Sequence, residues 1–173
     1  FVAVSAHGPL GSSPDCSIDG FWSHVTGSIA SFARHRATIL FVDASATMTA
    51  PIAECVGTVG SGKPSGASEA FGDFLVDCAI WLPATFSEYG TVTRGTSYNK
   101  CGTSMSRVDF VGVSNSVAVG GLSTDTRCDF AMPNNGYDHV PTCARLFLPL
   151  KRADVMTRRR APEYDRTAVS DPG

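Results

Sequence analysis

Tyr137-Asp138-His139-Val140-Pro141 sets an acid beside a histidine, just after the turn-forming run Asn134-Asn135-Gly136 and just before an apolar strand, Val140 to Leu148. Loops held at the mouth of a strand are where a rigid sheet positions reactive groups. Upstream, Ser106-Arg107-Val108-Asp109-Phe110 carries an acid that the pattern places inside a strand, and the apolar run Thr38 to Val42 ends in Asp43. Three acids and a histidine, each on a strand or at its end, make a candidate metal and phosphate site. Each also has an ordinary structural role. Asp43 can cap the loop that follows it, Asp109 can pair with Arg107 or Arg145, and His139 can bond its neighbour at a strand end.

The rest of the chain suits a domain that can frame such a site. Its 173 residues can bury a core. Hydrophobic residues make up 43% and charged residues 17%, a balance that excludes general disorder. A formal net charge of -2 supplies no global basic field for nucleic acid, so any such contact must be local. None of the six cysteines forms a C-x-x-C pair, which argues against a zinc ribbon or redox motif. Reduced core thiols are expected, in a reducing compartment: intracellular, nuclear or cytoplasmic. No apolar run approaches the ~20 residues of a membrane span.

Phe1 to Ala6 is β-rich, and His7-Gly8-Pro9 breaks it. It reads as a strand entered midway, so the chain is expected to belong to a longer polypeptide. Ile18, Phe21, Trp22, Val25, Ile29, Phe32 and Ala33 recur at helical spacing, with Ser17 as N-cap, Asp19 in the first turn, and Arg34-His35-Arg36 at the end. His24 and His35 read as solvated or packing histidines. Ala37 to Val42 suits a strand covered on both faces. Residues 44 to 66 read as a long loop, and about Ala67 to Ile80 as a second helix with the stripe Ala67, Ala70, Phe71, Phe74, Leu75 and Cys78. Strands are expected at Ala84–Phe86, Thr91–Tyr98, Arg107–Val113, Ser116–Val119 and Val140–Leu148, with a short one at Asp129-Phe130. Beyond Pro149, residues 149–173 mix Lys and Arg with Asp and Pro and read as a polar basic tail or linker after a domain over 1–148.

Two other motifs fail on chemistry. Gly57-Thr58-Val59-Gly60-Ser61-Gly62-Lys63-Pro64 follows G-x-x-x-x-G-K, but Pro64 stands where a Ser or Thr would meet magnesium, and it lacks a backbone N–H. No G-x-S-x-G nucleophile turn occurs, since Gly102-Thr103-Ser104-Met105-Ser106 misses it by one position.

In their order, these segments resemble the endonuclease/exonuclease/phosphatase superfamily, the DNase I-like fold. Ile39-Leu40-Phe41-Val42-Asp43-Ala44-Ser45-Ala46 is similar to its G-D-x-N-A strand end, Ser106 to Phe110 to its S-R-[IL]-D-[YF] strand, and Tyr137 to Pro141 to its S-D-H-x-P signature. Val4-Ser5-Ala6-His7-Gly8-Pro9, Phe71-Gly72-Asp73-Phe74-Leu75 and Thr85-Phe86 fall where the family has its own strand end, helix and T-x-F. The resemblance covers about residues 1 to 148 and is nearest in flavour to endonuclease domains of non-LTR retrotransposons. It implies an α/β, DNase I-like layered sandwich, truncated at its N-terminus. One mixed or antiparallel sheet would lie under about two helices, with part of a second sheet.

The resemblance also implies roles. Asp43 would orient or deprotonate the attacking water. His139 would contact the phosphate, with Asp109 holding its imidazole. His7 and Ser45 would contact phosphate, and Asp138 would help bind magnesium. The implied function is metal-dependent phosphodiester hydrolysis of DNA or RNA, of endonuclease type. The alternatives are an inactive retroelement remnant, a binding module, or a phosphatase acting on another ester. Here the sequence departs from the family. The early half with its metal-binding glutamate has no counterpart, which leaves the ligand set incomplete. Ser45 replaces an asparagine and offers no amide to phosphate. Val42 and Tyr137 replace a usual glycine and serine.

Overall fold

The computed structural model describes residues 1–33, 36–59, 63–89, 95–98, 105–115, 120–126 and 139–147. In chain order the elements are β1 (Val2–His7), α1 (Asp15–Phe32), β2 (Thr38–Asp43), α2 (Ser68–Asp77), β3 (Ile80–Trp81), a 3₁₀ turn (Pro83–Thr85), β4 (Ser97–Tyr98), β5 (Met105–Ser106), β6 (Asp109–Ser114), β7 (Gly120–Thr126) and β8 (Thr142–Phe147). The main sheet runs β1-β2-β6-β3, while β4-β5 and β7-β8 form two small antiparallel pairs. β1 lies parallel to β2, with α1 crossing between them, and β6 lies antiparallel to both β2 and β3. This is the expected layered α/β architecture: a mixed sheet, two helices, and strands of a further layer.

Strand periodicity sorts the side chains. Leu40, Val42 and Phe110 project to the helix side and are almost fully buried, with Val4 and Ala6 packed beside them. There they meet the stripes of both helices. Trp22 of α1 lies 4.8 Å, ring to ring, from both Phe71 and Phe74 of α2, and Phe71 lies 6.0 Å from Phe110. Tilted and offset rings at such separations add to the burial of their large areas. The backbones pack tightly as well. A Cβ on Gly112 would stand 2.7 Å from Ile80 Cγ2 and 3.4 Å from Leu40 Cβ, so β6 needs glycine there.

The opposite face is only partly covered. Ile39 and Val113, paired in register, are buried, whereas Phe41 is 48% exposed. The expectation that β2 is covered on both faces therefore fails at Phe41. α1 begins three residues earlier than the pattern suggested. Pro14 is its N-cap, Asp15 the acid of its first turn, and Ser17 Oγ donates to Pro14 O at 2.7 Å. Phe32 ends the helix with no basic residue in its last turn, and Arg34 and His35 lie outside the described residues. Ala79, at φ 49°, ends α2 in the left-handed region, so Ile80 leaves the helix and starts β3.

Ala84 and Thr85 belong to the 3₁₀ turn rather than a strand, because Pro83 opens it and cannot donate to a ladder. Residues 91–94, 116–119 and 127–130 lie outside the described ones, as do Gly60 to Gly62, Cys101, Cys128 and the segment 148–173. Cys55 is buried and Cys78 half-buried, as core thiols would be, but Cys16 and Cys143 are exposed. All four are unbridged. Burial pushes the Cys55 and Cys78 thiols up from their ordinary pKa. No helix among the described residues is long and apolar enough to cross a membrane.

Candidate active site

Three of the candidate residues fall in one row because of register. His7 ends β1, Asp43 ends β2 and Asp109 starts β6. His7 is the register partner of Asp43, and Asp43 that of Asp109. Since β6 runs opposite to the other two strands, its first residue meets their last ones. His139 arrives from a distant part of the chain, through an isolated bridge to Ser97.

The side chains converge. His139 Nδ1 lies 2.8 Å from Asp109 Oδ2 and 3.8 Å from Asp43 Oδ2. Asp43 Oδ2 lies 3.5 Å from His7 Nε2. Asp43 is thus flanked by two imidazoles, and one of them is held by a second carboxylate. His7 is 73% exposed while Asp43 is 19% exposed, so an open imidazole stands over a shielded acid. Together they line one end of a cleft of about 610 Å³, whose wall continues along Phe41, Val111, Val140 and Pro141.

Local backbone chemistry fixes Asp43. Ser45 N–H donates to Asp43 Oδ1 at 2.9 Å, so the carboxylate does cap its own loop, and its other oxygen faces the imidazoles. Ser45 takes φ 48° to do this. Its hydroxyl donates to Gly8 O at 3.3 Å. Gly8 N–H donates to Asp43 O at 2.7 Å. A Cβ on Gly8 would lie 2.7 Å from Ala44 O, so only glycine lets these two strand ends close together.

Burial pushes the Asp109 carboxyl above its usual range, and the Asp43 charge adds to this. Hydrogen bonds from Thr96 and His139, with the attraction of His139, act the other way. Arg107, two residues before it, is buried, donates to Ala84 O at 3.4 Å, and has its guanidinium pKa lowered by burial. Asp138 lies outside the described residues. The sequence pattern did not single out Thr96. It is fully buried behind Asp109, and its only sequence signal is a place next to a short strand.

The residues present fit a divalent cation. Asp43, Asp109 and His139 each offer a ligand atom, all within 4.8 Å of one another. Carboxylate oxygens suit magnesium.

No family model matches the sequence, and no curated protein matches it. Solved structures do share its fold. An endonuclease/exonuclease/phosphatase family protein from Bacteroides thetaiotaomicron is 18% identical, with a TM-score of 0.54 over 83% of this chain and 48% of that one. A mannosyl-6-phosphatase from the same organism is 16% identical, with a TM-score of 0.51 over 83% and 50%. A 3'-5' exonuclease from Neisseria meningitidis is 19% identical, with a TM-score of 0.56 over 83% and 60%. The chain therefore spans about half to three fifths of the length of these structures, and has the DNase I-like layered fold over that span.

Proposed function

We propose that this chain carries part of a magnesium-dependent phosphodiesterase site that cuts DNA or RNA internally, within a longer polypeptide. The observation that supports it most is the convergence of His7, Asp43, Asp109 and His139 from four separate segments on one sheet end, with His139 Nδ1 at 2.8 Å from Asp109.

In this scheme Asp43 orients the attacking water and takes its proton through the oxygen that Ser45 leaves unbound. Asp109 holds the Nδ1 side of His139, so that imidazole is aimed to steady the phosphate oxygens as charge builds on them. His7 meets a second phosphate oxygen from the solvent side. Asp138, next to His139 in sequence, would hold the magnesium ion together with Asp109. Such an ion, when bound, polarises the phosphoryl group and lowers the pKa of a bound water.

A second reading keeps the same residues and changes the ester. The likeness to a mannosyl-6-phosphatase and the net charge of -2 favour a phosphate ester other than nucleic acid. Both readings face one experiment: nicking of supercoiled plasmid beside release of phosphate from sugar phosphates, with magnesium or with EDTA. Plasmid nicking that needs magnesium and drops at least about 100-fold in His139→Ala supports the first. Phosphate release without nicking supports the second. Undiminished turnover in His139→Ala overturns both.

A further inference from the structure

We propose that Thr96 is the positioning residue of the site: it clamps the His139 segment onto the Asp109 segment and sets the geometry of their hydrogen bond. The inference rests on the reading of that pair as part of the hydrolytic machinery. Thr96 is 0% exposed and belongs to neither segment, so it touches the chemistry only through them.

Its bonds reach two stretches of chain, 106–109 and Val140. Thr96 Oγ1 accepts the N–H groups of both Val108 and Asp109, each at 3.0 Å. Its backbone N–H donates to Ser106 O at 2.8 Å. Its carbonyl accepts the N–H of Val140, the residue after His139, at 2.6 Å. The next residue, Ser97, forms the bridge to His139 itself. The close approach behind it is tight, since a Cβ on Gly95 would stand 2.7 Å from Met105 Cβ.

The hydroxyl inventory gives the clamp a direction. A threonine hydroxyl has two acceptor positions and one proton. The two N–H groups fill the acceptor positions, so one hydroxyl holds the backbone of both Val108 and Asp109. Asp109 is thus gripped at its N–H by this side chain, while the Thr96 carbonyl pins the strand that brings His139. Supporting groups of this kind typically cost about 10–100-fold in activity when removed.

The test uses the full chain with Thr96→Val, which keeps the shape and removes the hydroxyl, and Thr96→Ser, which restores it. One readout is the downfield proton signal of the His139 Nδ1–H, identified by its loss in His139→Ala and recorded at one pH below the melting temperature of every variant. The other is the split between kcat and KM. Thr96→Val should lose the signal and about tenfold or more in kcat with little change in KM, and Thr96→Ser should keep both. A signal retained in Thr96→Val, or lost equally in Thr96→Ser, overturns the proposal. If the wild-type chain hydrolyses nothing, the proton signal alone decides: its loss in the valine variant and return in the serine variant uphold the clamp while the hydrolytic reading falls.

Discussion

The two faces of the β1-β2-β6-β3 sheet are built from alternate residues of the same strands, yet they do different work. On the helix side Leu40, Val42 and Phe110 close against Trp22, Phe71 and Phe74, each no more than 5% exposed. One residue over, on the other side, Phe41 is 48% exposed and leads along an open cleft to Asp43, Asp109 and His139. Cohesion is concentrated in one layer, and charge is collected at the rim of the other. A rim so arranged can be altered without unfolding the protein.

The sharpest way to break that contrast is at its centre. Phe71→Ala should cost about 3–5 kcal/mol, read from the denaturant midpoint; a loss under about 1 kcal/mol would mean the ring cluster does not carry the stability. Next comes the rim, where His139→Ala should lower hydrolysis about 10²–10⁴-fold while the melting curve barely moves. A large fall in melting temperature would place His139 among the structural residues instead.

Asp109 sharpens the comparison through pH. Burial raises its folded-state pKa, so the folded protein holds that proton more tightly than the unfolded chain does. The stability it lends is full below the ordinary carboxylate range and is lost as pH rises through its own raised value. Denaturation curves across that interval should therefore show Asp109→Asn gaining on the wild type as pH rises. Asp109→Asn losing ground to the wild type as pH rises would mean the bonds to Thr96 and His139 outweigh burial. The smallest effect belongs to the open face, where Phe41→Ser should change stability by less than about 0.5 kcal/mol. A loss near that of Phe71→Ala would show the two faces to be equally important.

Much of this was legible in the sequence because apolar periodicity is local. The stripe from Ile18 to Phe32 and the run from Thr38 to Val42 declare a helix and a strand without tertiary help. β3 was not legible, since Ile80 continues the helical spacing of α2 and only the left-handed turn at Ala79 redirects it. β7 was missed because its inward residues, Leu122, Thr124 and Thr126, are mostly polar, so the alternation carries little hydrophobic contrast. At the site, Asp43, Asp109 and His139 could be named because strand ends mark them. The turning of the Ser45 hydroxyl onto Gly8, and the bonds of Thr96, depend on partners far along the chain. No local pattern encodes those.

β1 has one neighbour, β2, among the described residues, and Val2 to His7 contain no proline, no lysine and no bulge to blunt the other side. The N–H and C=O groups along that margin are a template for one more strand. An extended segment that met this margin would find donors and acceptors already aligned along the whole of Val2–His7.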